Sequence, residues 1–242
     1  MGELTPQKYR ELFKLRAQGE LEDMECTKSL YKIMEPIFKP GMKVLEVPAG
    51  SGHYYRKIKE LGKMEFYGVD LDEPAIEMAK DVWKNDSNAK WFVQDASKMD
   101  FEDNFFDIVF CYNLLLHLHD YKDPMKEMFR VTKKYLIVRS LFDEQASSKT
   151  LEAHPDYRKV YKTGTIYYNT YPRDEIKKFV EKLGPCKITF MGDNLEIPKE
   201  HLEKQEKALK VDSEEFAKGE KGKKQDWKGL KLNYEVMLIE KI

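Results

Sequence analysis

The sequence predicts an α/β fold, a mostly parallel sheet with helices on both faces. Three observations lead there. Apolar strand-like runs alternate with amphipathic helix-like stretches along most of the chain. A glycine-bearing turn, "VPAGSG", follows the first apolar run. Aspartates close the second and third runs, at Asp70 and Asp95.

The chain of 242 residues suits a single domain, 1–242, with additions. Apolar residues make up 41%, enough for a core, and the net charge is −1 from 42 basic and 43 acidic residues. That balance gives no global pull toward a polyanion and makes a nucleic-acid partner unlikely. The 3 cysteines, Cys26, Cys111 and Cys186, are far apart, which argues against a disulfide framework and for a reducing, cytoplasmic setting. No apolar run reaches the ~18 residues of a membrane span. The opening residues lack the pattern of a secretory signal.

In chain order, residues 1–40 read as two amphipathic helices. Strands are expected at Lys43–Val47, Glu65–Asp70, Lys90–Gln94, Phe106–Tyr112, Tyr135–Ser140, Lys187–Met191 and Asn233–Glu240. Helices are expected at Gly52–Leu61, Glu73–Lys84, Asp123–Thr132 and Arg173–Leu183. In "DEPAIEMAKDVW", Asp72 can cap, Pro74 suits the first turn, and Ile76, Ala79 and Trp83 recur at helical spacing. Residues 141–172 read as irregular and tyrosine-rich, and 195–230 as a charged, solvated insertion before the last strand.

The turn resembles a dinucleotide loop and departs from it. Pro48 stands at the first glycine position and Tyr55 at the third, where helix and strand would pack closely over a pyrophosphate. Gly50 and Gly52 remain, small enough for a phosphate-free adenosyl cofactor to cross the backbone. Asp70 follows the loop by about 20 residues, the spacing that sets a carboxylate beside a ribose. Asp95, followed by Ala96, can accept from an adenine amine. Tyr112 and Asn113 end the fourth strand opposite the loop, where ligands lie in open α/β sheets.

"VLEVPAGSG", "FYGVDLDEPAIEMAK", "FVQDA", "FDIVFCYNLLLHL" and "MKEMFRVTKKYLIV" together resemble the class I S-adenosylmethionine-dependent methyltransferases. Their small-molecule branch, with the ubiquinone and menaquinone biosynthesis enzymes, is the most similar. The likeness covers about residues 41–140. It implies a Rossmann-like, seven-stranded sheet whose last strand is antiparallel, and S-adenosyl-L-methionine as cofactor. It implies that the loop Ala49, Gly50, Ser51 and Gly52 approaches the cofactor, with Glu46 orienting the methionine end. It further implies Asp70 at the ribose, Leu71 against adenine, Asp95 and Ala96 at the adenine, and Asn113 near the methionine moiety. Residues 1–40 resemble the lid helices of the family, and 141–172 would line the substrate.

Methyl transfer needs in-line positioning first and a base only if the acceptor loses a proton. His117 is the candidate base or substrate contact, with His119 second to it. Arg139, in a strand that reads as buried, needs a partner: a substrate anion or a structural acid. His117, His119 and Asp120 invite a metal reading, but Tyr121 and Lys122 break the dinuclear hydrolase pattern, so no metal is expected. The resulting expectation is methyl transfer to a small-molecule acceptor. Alternatives are a tRNA or other nucleic-acid methyltransferase, a non-catalytic partner protein of this fold, and a nicotinamide-dependent oxidoreductase.

Overall fold

A computed structural model describes residues 5–153, 155, 164–193 and 234–242. Two N-terminal helices, α1 (Pro6–Gln18) and α2 (Glu25–Met34), precede the sheet, as the amphipathic pattern predicts. Thr5 caps α1 through the Lys8 amide, and Gly19, at φ +80°, ends it in the left-handed conformation. The alternating part then runs β1 (Lys43–Glu46), α3 (His53–Ile58), β2 (Glu65–Asp70), α4 (Glu73–Val82), β3 (Ala89–Val93), β4 (Phe106–Tyr112), α5 (Lys122–Val131) and β5 (Thr132–Asp143). The chain continues through β6 (Ser147–Glu152), β7 (Thr165–Pro172), α6 (Arg173–Glu181), β8 (Cys186–Gly192) and β9 (Tyr234–Lys241).

The strand order is β3-β2-β1-β4-β5, followed by β9 and β8. β9 lies antiparallel between β5 and β8. These seven strands form the expected mostly parallel sheet. The remaining pair is a difference from the sequence reading. Residues read as irregular form a hairpin, β6 with β7, and β7 runs parallel to the end of β5 over Leu141–Asp143. The charged 195–230 stretch lies outside the described residues.

Each strand divides its side chains between two cores. Leu45, Val69, Val109 and Val138 pack with α5 and α6. Val44, Phe66, Phe110 and Ile137 pack with α2, α3 and α4. By alternation, Glu46, Asp70, Tyr112 and Arg139 share the second face, the first three at the carboxyl ends of β1, β2 and β4 and Arg139 beside Tyr112 within β5.

Trp91 sets the spacing between that face and α3. A Cβ on Gly52 would meet Trp91 Cη2 at 2.2 Å and Trp83 Nε1 at 2.7 Å. A Cβ on Gly68 would meet Trp91 Cε3 and Cζ3 at 2.4 Å, and the Ala49 Cβ at 2.8 Å. Tyr55 joins this wedge, with ring centroids 4.3 Å from Phe66 and 4.9 Å from Trp83, and its hydroxyl donates to Asp86 at 2.9 Å. The bulky residue at the third glycine position is therefore part of an aromatic layer that holds α3 off the sheet. Gly68→Ala is expected to cost roughly 1–3 kcal/mol through overpacking against Trp91 and Ala49. In urea titrations the midpoint should fall with an unchanged m-value; an unmoved midpoint would contradict the wedge.

Candidate functional site

Parallel register brings the two carboxylates together. Glu46 is the Cα partner of Gly68 on β2 and of Phe110 on β4. Asp70 lies two residues beyond Gly68 on the same face. Glu46 is 1% exposed, and neither carboxylate oxygen has a hydrogen-bond partner. Burial pushes its carboxyl well above the ordinary range, and the Asp70 charge pushes further in the same direction. Asp70 is pushed up to about 6 by burial, although the Asp72 and Gly50 amides favour its ionised form.

The turn between β1 and α3 shapes the space beside them. The Val47–Pro48 peptide is cis. The Ala49 amide donates to the Val69 carbonyl at 2.9 Å, and the Gly50 amide to Asp70 Oδ2 at 2.9 Å. Gly50 has φ +52°, and a Cβ there would meet nothing within 4 Å, so the backbone faces open space. Ser51 is buried, its hydroxyl has no partner, and its carbonyl accepts from Trp83 Nε1 at 3.2 Å. The two glycines therefore differ. Gly50 is open toward a ligand, whereas Gly52, at φ +73°, is needed because Trp91 and Trp83 occupy its Cβ position. Gly52 thus carries a packing requirement that the sequence reading did not give it.

Asp72 stands at the N-cap of α4, but its side chain makes no capping bond. It holds Arg10 instead, through Nε–Oδ2 at 2.7 Å and Nη2–Oδ1 at 2.9 Å. The Asp72 amide donates to Asp70 Oδ1 at 2.9 Å. Helix α1 is thus tied to the segment that carries Asp70. Beside it, His53 stacks between Phe13 (4.7 Å) and Tyr54 (4.2 Å). Burial, with the Arg16 charge adding to it, lowers the His53 pKa to about 3.

The other expected residues are placed as follows. Leu71, half-buried, links Asp70 to Asp72. Asp95 lies past the end of β3 in a turn, its Oδ1 accepting from the Ser97 amide at 2.9 Å, and Ala96 packs against the first core. Asn113 has φ +63° and its Oδ1 accepts from Arg139 Nη1. Arg139 is 1% exposed, and its Nε donates to Asp193 Oδ2, so the structural-acid alternative holds for that nitrogen. His117 Nδ1 lies 3.0 Å from the Tyr167 carbonyl and its ring packs edge-on to Tyr168. The turn after β4 is held by the hairpin: Tyr171 donates to the Leu115 carbonyl at 2.8 Å, and Asn169 Nδ2 to that of Leu118 at 2.7 Å. Tyr167, Tyr168 and Tyr171 are thereby accounted for as supports of that turn. Tyr157 and Tyr161 lie outside the described residues.

Sequence reasoning missed Arg10, Trp91 and His53. Arg10 and Asp72 are 62 residues apart, and only helix docking joins them. Trp91 became legible as a wedge only through its pairing with Gly68.

Residues 45–137 match the methyltransferase domain family. That match runs from β1 to within β5 and takes in less than half of the chain. Among curated proteins, it is 36% identical over 97 residues to the demethylmenaquinone methyltransferase of Staphylococcus aureus, covering 39% of this chain and 40% of that one. It is 29% identical over 98 residues to phosphoethanolamine N-methyltransferase 2 of Caenorhabditis elegans, covering 40% of this chain and 22% of that one. The chain therefore spans less than half the length of the curated relatives it matches. Among solved structures, the cyclase SpnF superposes with a TM-score of 0.63 at 15% identity, covering 88% of this chain and 80% of that one. That likeness is one of fold alone, to a protein named a cyclase, so the fold does not assign the reaction.

Arg10→Gln should loosen α1. Its amides are expected to exchange hydrogen faster while those of β1, β2 and β4 keep their protection. Unchanged protection of α1 would show that the ion pair does not hold it.

Proposed function

We propose that the protein binds S-adenosyl-L-methionine and transfers its methyl group to a small-molecule acceptor. One observation carries the reading: a buried Glu46 carboxylate with no partner of its own, on the same face as Asp70 and beside the open backbone of Gly50. A buried carboxylate left this way is costly until it receives a cation or a hydrogen-bond donor. The ammonium of the cofactor's amino-acid part suits Glu46. Asp70 accepts one backbone amide on each oxygen and keeps lone pairs for a ribose diol. A pyrophosphate would meet two carboxylates and is disfavoured, which argues against a dinucleotide.

When bound, the cofactor supplies an activated methyl group on its sulfonium. The chain's own residues bind, orient and exclude water. Gly50 leaves room, Glu46 and Asp70 fix the two ends, and Arg10 ties α1 over the Asp70 segment. Asp95 and Ala96 are assigned to the adenine end, Leu71 to its face and Asn113 to the methionine end. Positioning of this kind is worth up to ~7–11 kcal/mol of a barrier. The small-molecule acceptor is supported by the relatives' names, both of which are small-molecule methyltransferases. No helix among the described residues is long and apolar enough to cross a membrane. The cytoplasmic reading rests on the free, widely spaced thiols of Cys26, Cys111 and Cys186.

Calorimetric titration with S-adenosylhomocysteine tests the reading. Asp70→Ala should weaken binding at least ~10-fold with the fold intact, because hydrogen bonds to a charged group are worth about 1.5–3 kcal/mol each. An unchanged dissociation constant would contradict the ribose assignment. The same titration should depend on pH with a definite sign. Both carboxylates have raised pKa values in the free protein and must ionise to receive the ligand. Affinity is therefore lost as pH falls through the Asp70 pKa of about 6, and protonation of Glu46, whose pKa is raised as well, acts in the same direction. Affinity that is flat across that range, or that rises toward acid, would contradict the assignment.

A further inference from the structure

Tyr112, the last residue of β4, and Arg139, within β5, are Cα partners on the face that carries Glu46. Each holds a buried donor with nothing to receive it. Arg139 Nε is engaged by Asp193 and Nη1 by Asn113, but no group accepts from Nη2. Tyr112 is 4% exposed and its hydroxyl has no partner. Burial, with the Asp193 charge adding to it, pushes the Tyr112 phenol well above its ordinary value, so it stays a donor at neutral pH. The Tyr234 ring lies 3.9 Å from the guanidinium carbon.

We propose that Tyr112 and Arg139 anchor an oxyanion, a carboxylate or phosphate, carried by the methyl acceptor. This deepens the methyl-transfer reading and rests on it. Unpartnered buried donors cost about 1–3 kcal/mol each, and with the Arg139 guanidinium carbon 6.0 Å from the Tyr112 ring centroid one acceptor group can serve both. The chemistry selects its sign: both are donors, and one belongs to a cation whose planar fork suits carboxylate and phosphate oxygens. The position fits as well. Arg139 lies two strand spacings from Glu46, about 10 Å across the sheet. A small acceptor anchored there reaches toward the methionine end assigned to Glu46 and Asn113. A fixed geometry for the guanidinium comes from Asp193 and Asn113, which hold two of its nitrogens and leave the third for the ligand.

The test titrates inorganic phosphate and, separately, succinate into protein saturated with S-adenosylhomocysteine, at constant ionic strength. Saturable binding of one of the two is expected. Tyr112→Phe, which keeps the ring and its packing, should weaken it roughly fivefold or more. The paired change Arg139→Gln with Asp193→Asn removes both charges and keeps their shapes. It should abolish anion binding while a thermal melt stays cooperative. Binding of neither anion to the wild type, or equal affinity in Tyr112→Phe, would overturn the inference. A fivefold loss of S-adenosylhomocysteine affinity in Tyr112→Phe would also overturn it, assigning the donors to the cofactor's own carboxylate. Failure of the unaltered protein to bind S-adenosylhomocysteine would instead remove the methyl-transfer reading itself.

Discussion

Two carboxylates on one face of the sheet, Glu46 buried and Asp70 part-buried, are the constraint around which the rest is arranged. Glu46 has no partner, and Asp70 has only backbone amides besides its neighbour's charge. Left alone, such a pair favours protonation and resists folding in its ionised form. The chain holds it in place because everything beneath it is rigid. β1 sits between β2 and β4 in continuous register, and α3 is braced by aromatic side chains. A site of this kind is destabilising in the free protein and becomes favourable once a cationic, hydrogen-bond-donating ligand arrives.

The brace explains why the loop can differ from a phosphate-binding one. In a dinucleotide site a third glycine brings helix and strand close together. Here Tyr55, Trp83 and Trp91 fill that interval, and the strictly small positions move to Gly52 and Gly68, against Trp91. Of the two loop glycines, Gly50 keeps open space beside it. The loop is open at Gly50 and filled by Trp91 and Trp83 at Gly52.

Much of the central sheet was legible in the sequence. The bounds of β2 and β4 coincide with their apolar runs, because buried parallel strands carry continuous hydrophobic residues that few other elements share. Asp70 stood out in the sequence as the polar residue ending such a run, whereas Glu46 was singled out only by the family resemblance. The hairpin β6–β7 was not. "TIYYNTYP" mixes polar and aromatic residues at an edge, and its strand character depends on pairing with the extended end of β5. The Arg10–Asp72 tie and the Arg139–Asp193 pair join residues far apart in sequence, which no local pattern encodes. Asp72 read as a cap from its position. Tertiary docking of α1 claimed its side chain instead.

The most direct measurement of the central claim is a crystal structure of the protein with S-adenosylhomocysteine. The account expects the ligand's ammonium within hydrogen-bonding distance of Glu46, its ribose on Asp70 and its backbone passage over Gly50. A ligand seated elsewhere, or a Glu46 carboxylate still without a donor in the complex, would contradict it.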